Sequence, residues 1–154
     1  MPDYYEDAHG DLIADAFSDL PFLTGGSGLC GALGRRYVRL HPELFFNISH
    51  SGEWIACVLG NVPVGIDIQY HREIKLEQTA RKICTPDEWK TFIQAGTEKG
   101  KKDFLFQIWT KKESYLKYTG EGICRKLCEI SYDGCRFYRL VMPEEYSGMV
   151  CVEN

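Results

Sequence analysis

The sequence predicts an α+β fold in which an antiparallel sheet packs against helices. Three observations carry this: strand-like runs crowd between residues 44 and 69, a capped helix start and a long amphipathic helix follow, and strand-like segments close the chain.

Taken in order, residues 3–17 read as a short amphipathic helix with Ile13, Ala16 and Phe17 on one side, weakened by Gly10. The loop LTGGSGLCGALGRR follows. Its GxGxxG-like fragments have no alternating strand before them and no helix after them, so they do not make a dinucleotide fingerprint. LFFNIS (44–49), EWIACVLG (53–60) and VPVGIDIQ (62–69) read as strands, and the Gly60-Asn61 break between the last two predicts a hairpin. Thr85-Pro86-Asp87-Glu88 is a helix start: Thr as N-cap, Pro in the first turn, and Glu at N3 completing a capping box. A second helix is predicted over 101–118, with apolar residues 104, 105, 108, 109, 115 and 116 on one face and Gly120 as C-cap. LCEISYDGCRFYRLVM reads as a hairpin about Asp133-Gly134, and SGMVCVEN as a last strand.

Composition narrows the function classes. A chain of 154 residues, 44% hydrophobic and 26% charged with nine Tyr, eight Phe and three Trp, buries enough surface to fold without staples. A formal charge of −4 argues against nucleic acid as partner, because phosphate affinity needs clustered cations. No apolar run is long enough for a membrane span, and the acidic N-terminus lacks the pattern of a signal peptide, which together place the chain in the cytoplasm. The seven cysteines are odd in number and scattered, as reduced thiols are. Cys124, Cys128 and Cys135 lack the CxxC knuckle of structural zinc and read as small packing residues.

Chemistry concentrates in three segments. In the third strand Asp67 shares a face with Gly65 and Gln69, so a carboxylate and an amide oxygen, both hard-cation donors, stand beside a glycine that permits close approach. A strand-end Asp that caps a turn is the ordinary alternative. On the long helix Glu113 and Lys117 are four apart, which fits either a routine surface ion pair or a carboxylate and an ammonium serving Mg²⁺ and phosphate. Asn47-Ile48-Ser49-His50-Ser51 ends a strand with the donors that phosphate oxygens require; His50 reads as a base, a phosphate donor or a turn histidine.

FNISHSGEW (46–54), VGIDIQ (64–69) and FQIWTKKESYLKYTGEG (106–122), in that order, resemble the FNxSHS, GxDIE and WxxKEAxxK segments of the 4′-phosphopantetheinyl transferase superfamily, surfactin-synthetase-activating type. GRRY at 34–37 is similar to a divergent copy of a fourth motif, usually GKPY, and the resemblance spans residues 20–152. It implies that Asp67 and Glu113, with Gln69, hold Mg²⁺; that Glu113 takes the proton of an attacking serine; and that Lys117 stabilises phosphates. Ser49, His50 and Arg35 would contact the nucleotide, and Lys112 would face phosphates or solvent. Coenzyme A is the implied co-substrate and an apo acyl or peptidyl carrier protein the implied partner.

Gln69 stands where many relatives carry Glu, which removes one charge from the metal site. The resemblance further implies a domain of two similar halves. Residues 1–61 would hold a partial first half with the GRRY and FNISHS segments, and residues 62–154 a complete second half with the metal site. Homo-oligomerisation would cover the edge that missing strands leave. A shortened homologue that binds coenzyme A or a carrier without turnover is the alternative function. A metal-dependent nucleotide hydrolase explains the carboxylates but not the ordered motifs.

Overall fold

The computed structural model describes residues 43–122 and 126–154. The expected helix over 3–17, the Gly-rich loop and the GRRY segment lie outside the described residues.

Strands β1 (Phe45–Ser51) and β2 (Trp54–Gly60) form an antiparallel hairpin with Ser51 opposite Trp54. Gly52, at φ 57°, supplies the left-handed residue of its turn. The hairpin expected at Gly60-Asn61 is not there. Strand β3 (Val64–Tyr70) leaves the first sheet and pairs antiparallel with the C-terminal strand β5 (Tyr146–Glu153), which runs between β3 and β4 (Cys135–Arg139). Pro63 just before β3 has no N–H to give a β2 ladder, while its carbonyl accepts from Glu153. The hairpin expected at Asp133-Gly134 is likewise replaced: Gly134 turns the chain into β4, whose partner is β5.

Three helices separate β3 from β4: α1 (Leu76–Ile83), α2 (Pro86–Gln94) and α3 (Glu98–Thr119). The expected capping box of α2 is present, with Thr85 N–H donating to Glu88 (2.7 Å) and Glu88 N–H to Thr85 Oγ1 (3.3 Å). Helix α3 begins three residues before the predicted start, where Thr97 caps the Gly100 N–H, and ends at Gly120 in the left-handed conformation. Helix α1 was not expected: Leu76, Ala80 and Ile83 stand at helical spacing, but no side chain caps its start.

Among the described residues the core has two parts along α3. Ala80, Ile83, Cys84, Phe92 and Leu105 pack where α1 and α2 meet it, and Tyr115, Leu116, Ile130 and Cys151 where it lies on the three-stranded sheet. Helix and sheet approach very closely at Gly65, whose Cα faces the backbone of Ser114 and Tyr118. The close approach anticipated at this glycine is therefore made by α3.

Lys112 is fully buried, which overturns both readings of it as facing phosphates or solvent. Its three N–H groups meet the Ile83 carbonyl (2.7 Å), the Glu88 carboxylate (2.6 Å) and the Leu127 carbonyl (2.9 Å). One ammonium thus ties the end of α1, the start of α2 and the 3₁₀ turn Leu127–Glu129 to α3, with every donor matched. A second tie lies past the end of β3. His71 Nε2 meets Ser147 Oγ at 2.8 Å, its Nδ1 lies 3.5 Å from Asp103, and its ring stacks on Phe106.

Candidate active site

Among the described residues β3 is the edge strand of its sheet, and the peptide groups along its outer side need partners. Side chains of β1 supply them at every second residue. Asn47 Oδ1 accepts from Ile66 N–H (3.2 Å), Ser49 Oγ from Ile68 N–H (3.1 Å) and Ser51 Oγ from Tyr70 N–H (2.8 Å). Strand alternation gives these three residues one face of β1, and puts His50, which is exposed, on the other.

Asp67 sits inside this junction with 3% of its surface exposed. Its Oδ1 accepts from Lys117 Nζ (2.8 Å) and from Ser49 Oγ (3.0 Å), and its Oδ2 from Gln69 Nε2 (3.1 Å). Lys117 also donates to the Ile66 carbonyl at 2.9 Å, so the ion pair runs from helix to strand instead of along the helix to Glu113. Glu113, one turn earlier on α3, is half-buried. Burial pushes its carboxyl above the usual range and the Asp67 charge pushes it further, against the opposing pull of Lys117 and of the nearby Trp109.

The structure thus brings Ser49, Asp67, Gln69, Glu113 and Lys117 together, and does not bring His50 to them. Arg35 lies outside the described residues. Ser49, expected at the nucleotide phosphates, is 5% exposed, and its hydroxyl is shared between Asp67 and the β3 backbone. Strand alternation sets residues 47, 49 and 51 on one face, but His50 is polar as well, so the polarity of the segment does not tell which face turns inward. Gln69, expected to offer its amide oxygen to a metal, turns its amide nitrogen to Asp67.

The donor set fits a hard divalent cation. A carboxylate has about four lone-pair positions, and the described contacts of Asp67 fill two on Oδ1 and one on Oδ2. That leaves Oδ2 able to accept once more, beside a second carboxylate that its charge already disfavours. Among the described residues no three His, Cys, Asp or Glu side chains converge on one point. Two carboxylates, with water and substrate phosphate completing the shell, is the usual arrangement for Mg²⁺.

The family model of the 4′-phosphopantetheinyl transferase superfamily matches residues 63–142, just over half of the chain and the whole stretch from β3 through α3. The chain belongs to this superfamily. Among curated proteins it is 30% identical to a 4′-phosphopantetheinyl transferase of Bacillus subtilis over 133 residues, which cover 82% of this chain and 58% of the relative. It is 34% identical to the 4′-phosphopantetheinyl transferase psf-1 of Bacillus pumilus, over 70% of this chain and 47% of that one. With the 4′-phosphopantetheinyl transferase HetI of Nostoc it shares 38% identity over 60% of this chain and 39% of the relative. The chain spans about half the length of the curated relatives it matches. Among the described residues no helix is long and apolar enough to cross a membrane.

Proposed function

We propose that this phosphopantetheinyl transferase superfamily member moves the 4′-phosphopantetheine group of coenzyme A to a serine hydroxyl of an apo acyl or peptidyl carrier protein, with Mg²⁺ as cofactor. The observation that carries the reading is the partly buried Asp67–Lys117 pair joining β3 to α3, with Glu113 one turn away. Asp67 and Glu113 are the residues that would hold Mg²⁺, Gln69 lies beside them, and the ion when bound neutralises charge on the pyrophosphate.

The chain's own residues supply the rest. Glu113 accepts the proton of the serine hydroxyl as the serine oxygen bonds to phosphorus. The bond to the leaving phosphate oxygen breaks, releasing 3′,5′-bisphosphoadenosine. Lys117 spends two of its three N–H groups on Asp67 and Ile66 and keeps one for a phosphate oxygen. His50 on the exposed face of β1, together with Arg35, is assigned to the nucleotide phosphates. The half carrying GRRY and FNISHS is residues 1–61 and the half carrying the metal pair is residues 62–154; the change of sheet between Gly60 and Val64 supports that division.

The test is mass spectrometry of apo carrier proteins incubated with the protein, Mg²⁺ and coenzyme A. A gain of one phosphopantetheine is expected, slowed about 10²–10⁴-fold by Glu113→Gln with the thermal midpoint no lower than that of the wild type. No gain on any of several carriers, or a Gln variant at full rate, refutes the reading. One observation favours a second reading, binding without turnover: Gln69 is neutral and turns its nitrogen to Asp67. Calorimetric binding of coenzyme A with no mass gain would select it.

A further inference from the structure

We infer that Ser49 is a positioning residue for the cation site, locking the Asp67 carboxylate so that Oδ1 is saturated and Oδ2 is left to the metal. The inference rests on the Mg²⁺-dependent reading above and concerns a residue to which the nucleotide-contact expectation assigns another task.

The geometry leaves the serine hydroxyl one orientation. It accepts the Ile68 N–H at 3.1 Å and donates its single proton to Asp67 Oδ1 at 3.0 Å. With both bonds made inside a buried junction, the hydroxyl rotor is fixed by a backbone group of the very strand that carries Asp67. Lys117 takes the second position on Oδ1, so one oxygen is pinned from β1 and from α3 at once. Gln69 reaches Oδ2 but does not fill it. Without the serine, Oδ1 loses one of its two donors, and the soft terminal torsion of the carboxylate is held by Lys117 and Gln69 alone. Groups that hold a metal-binding carboxylate in place typically contribute 10–100-fold to affinity.

Asn47 and Ser51 provide internal controls. Each makes the same kind of bond to a β3 peptide N–H, two residues to either side of Ser49, and neither is recorded in contact with Asp67. All three contribute to docking the hairpin on β3; Ser49 alone of the three also reaches the carboxylate.

The experiment titrates the protein with Mn²⁺ in the presence of coenzyme A, following free Mn²⁺ by electron paramagnetic resonance, with the thermal midpoint read in parallel. Ser49→Ala is expected to weaken Mn²⁺ binding tenfold or more and Ser49→Thr, which keeps the hydroxyl, to restore it. Asn47→Ala and Ser51→Ala should lower the midpoint yet bind Mn²⁺ like the wild type. In transfer assays Ser49→Ala should raise the half-saturating Mg²⁺ concentration and recover kcat at saturating Mg²⁺. Should Ser49→Ala not fold, Ser49→Cys, with a weak donor of similar size, reads the same loss. Unchanged Mn²⁺ affinity in the Ser49 variants overturns the inference, as does an equal loss in all three alanine variants, which would mark a purely structural role. A wild-type protein that binds no Mn²⁺ overturns the metal-dependent reading itself, and with it this one.

Discussion

Replacing Gly65 by alanine tests the contact on which both fold and site depend. The backbone at 65 is extended, so the methyl group meets no conformational penalty; it meets α3. A Cβ there would lie 2.1 Å from the Ser114 carbonyl oxygen, 2.5 Å from the Tyr118 nitrogen and 3.0 Å from the Tyr118 Cα. These are backbone atoms of a continuous helix and cannot rotate aside. To restore ordinary contact the helix must withdraw from β3 by about 1 Å, a degree of overpacking that costs about 1–3 kcal/mol and sometimes more. The reduced freedom of the unfolded chain returns less than about 1 kcal/mol. The expected net loss is about 2 kcal/mol, or roughly 4–8 °C in midpoint for a chain of this size. The same withdrawal stretches the Lys117 bonds to Asp67 and Ile66, now 2.8 and 2.9 Å, so transfer should fall by more than the loss of folded protein explains. Tryptophan fluorescence during urea unfolding gives the stability, and carrier mass gain at a temperature where the variant is fully folded gives the activity. A midpoint within 1 °C of wild type and full transfer would show that strand and helix do not need this spacing.

Two further outcomes follow from the buried polar ties. Lys112→Met leaves Glu88 and two carbonyls without their shared donor and should destabilise by about 3 kcal/mol, the lower end for a broken buried pair because Glu88 keeps some exposure. Adding Glu88→Gln, which can still complete the capping box, should recover part of that loss; urea unfolding of the single and double variants decides, and a single-variant loss below about 1 kcal/mol rejects the tie. Burial holds the His71 imidazole below its ordinary range, against the opposing pull of Asp103. The unfolded chain therefore binds the proton more readily, so the stability linked to His71 is intact above about pH 6.5 and is lost as pH falls below it. Midpoints measured between pH 7 and pH 5 should drop less steeply for His71→Gln than for wild type, and parallel curves would refute the assignment.

How much of this was legible differs element by element. The start of α2 could be read because a capping box satisfies its own donors within four residues, and the end of α3 because Gly120 relieves a local conformational demand. The strand segments could be read from composition, but their partners could not. A Gly-Asn break next to Pro63 looks like a hairpin in one dimension, whereas the partner of β3 lies at the far end of the chain. Lys112 shows the same limit. Beside Glu113 in a charged run it reads as a surface or phosphate residue, and only the meeting of α1, α2 and the Leu127–Glu129 turn creates the three acceptors that hold it inside.

By itself the sequence determined the family motifs, the Asp67 strand, the Glu113–Lys117 helix face and the caps, since each rests on residues within one or two turns of each other. Tertiary structure alone decided that Lys117 pairs with Asp67, that Ser49 is turned inward to hold that carboxylate, and that Gly65 is shaped to admit α3. The reason is physical. A side chain's donors and charge are properties of its own residue, but which acceptor they reach depends on strands and helices that the chain brings together from 18 to 50 positions away.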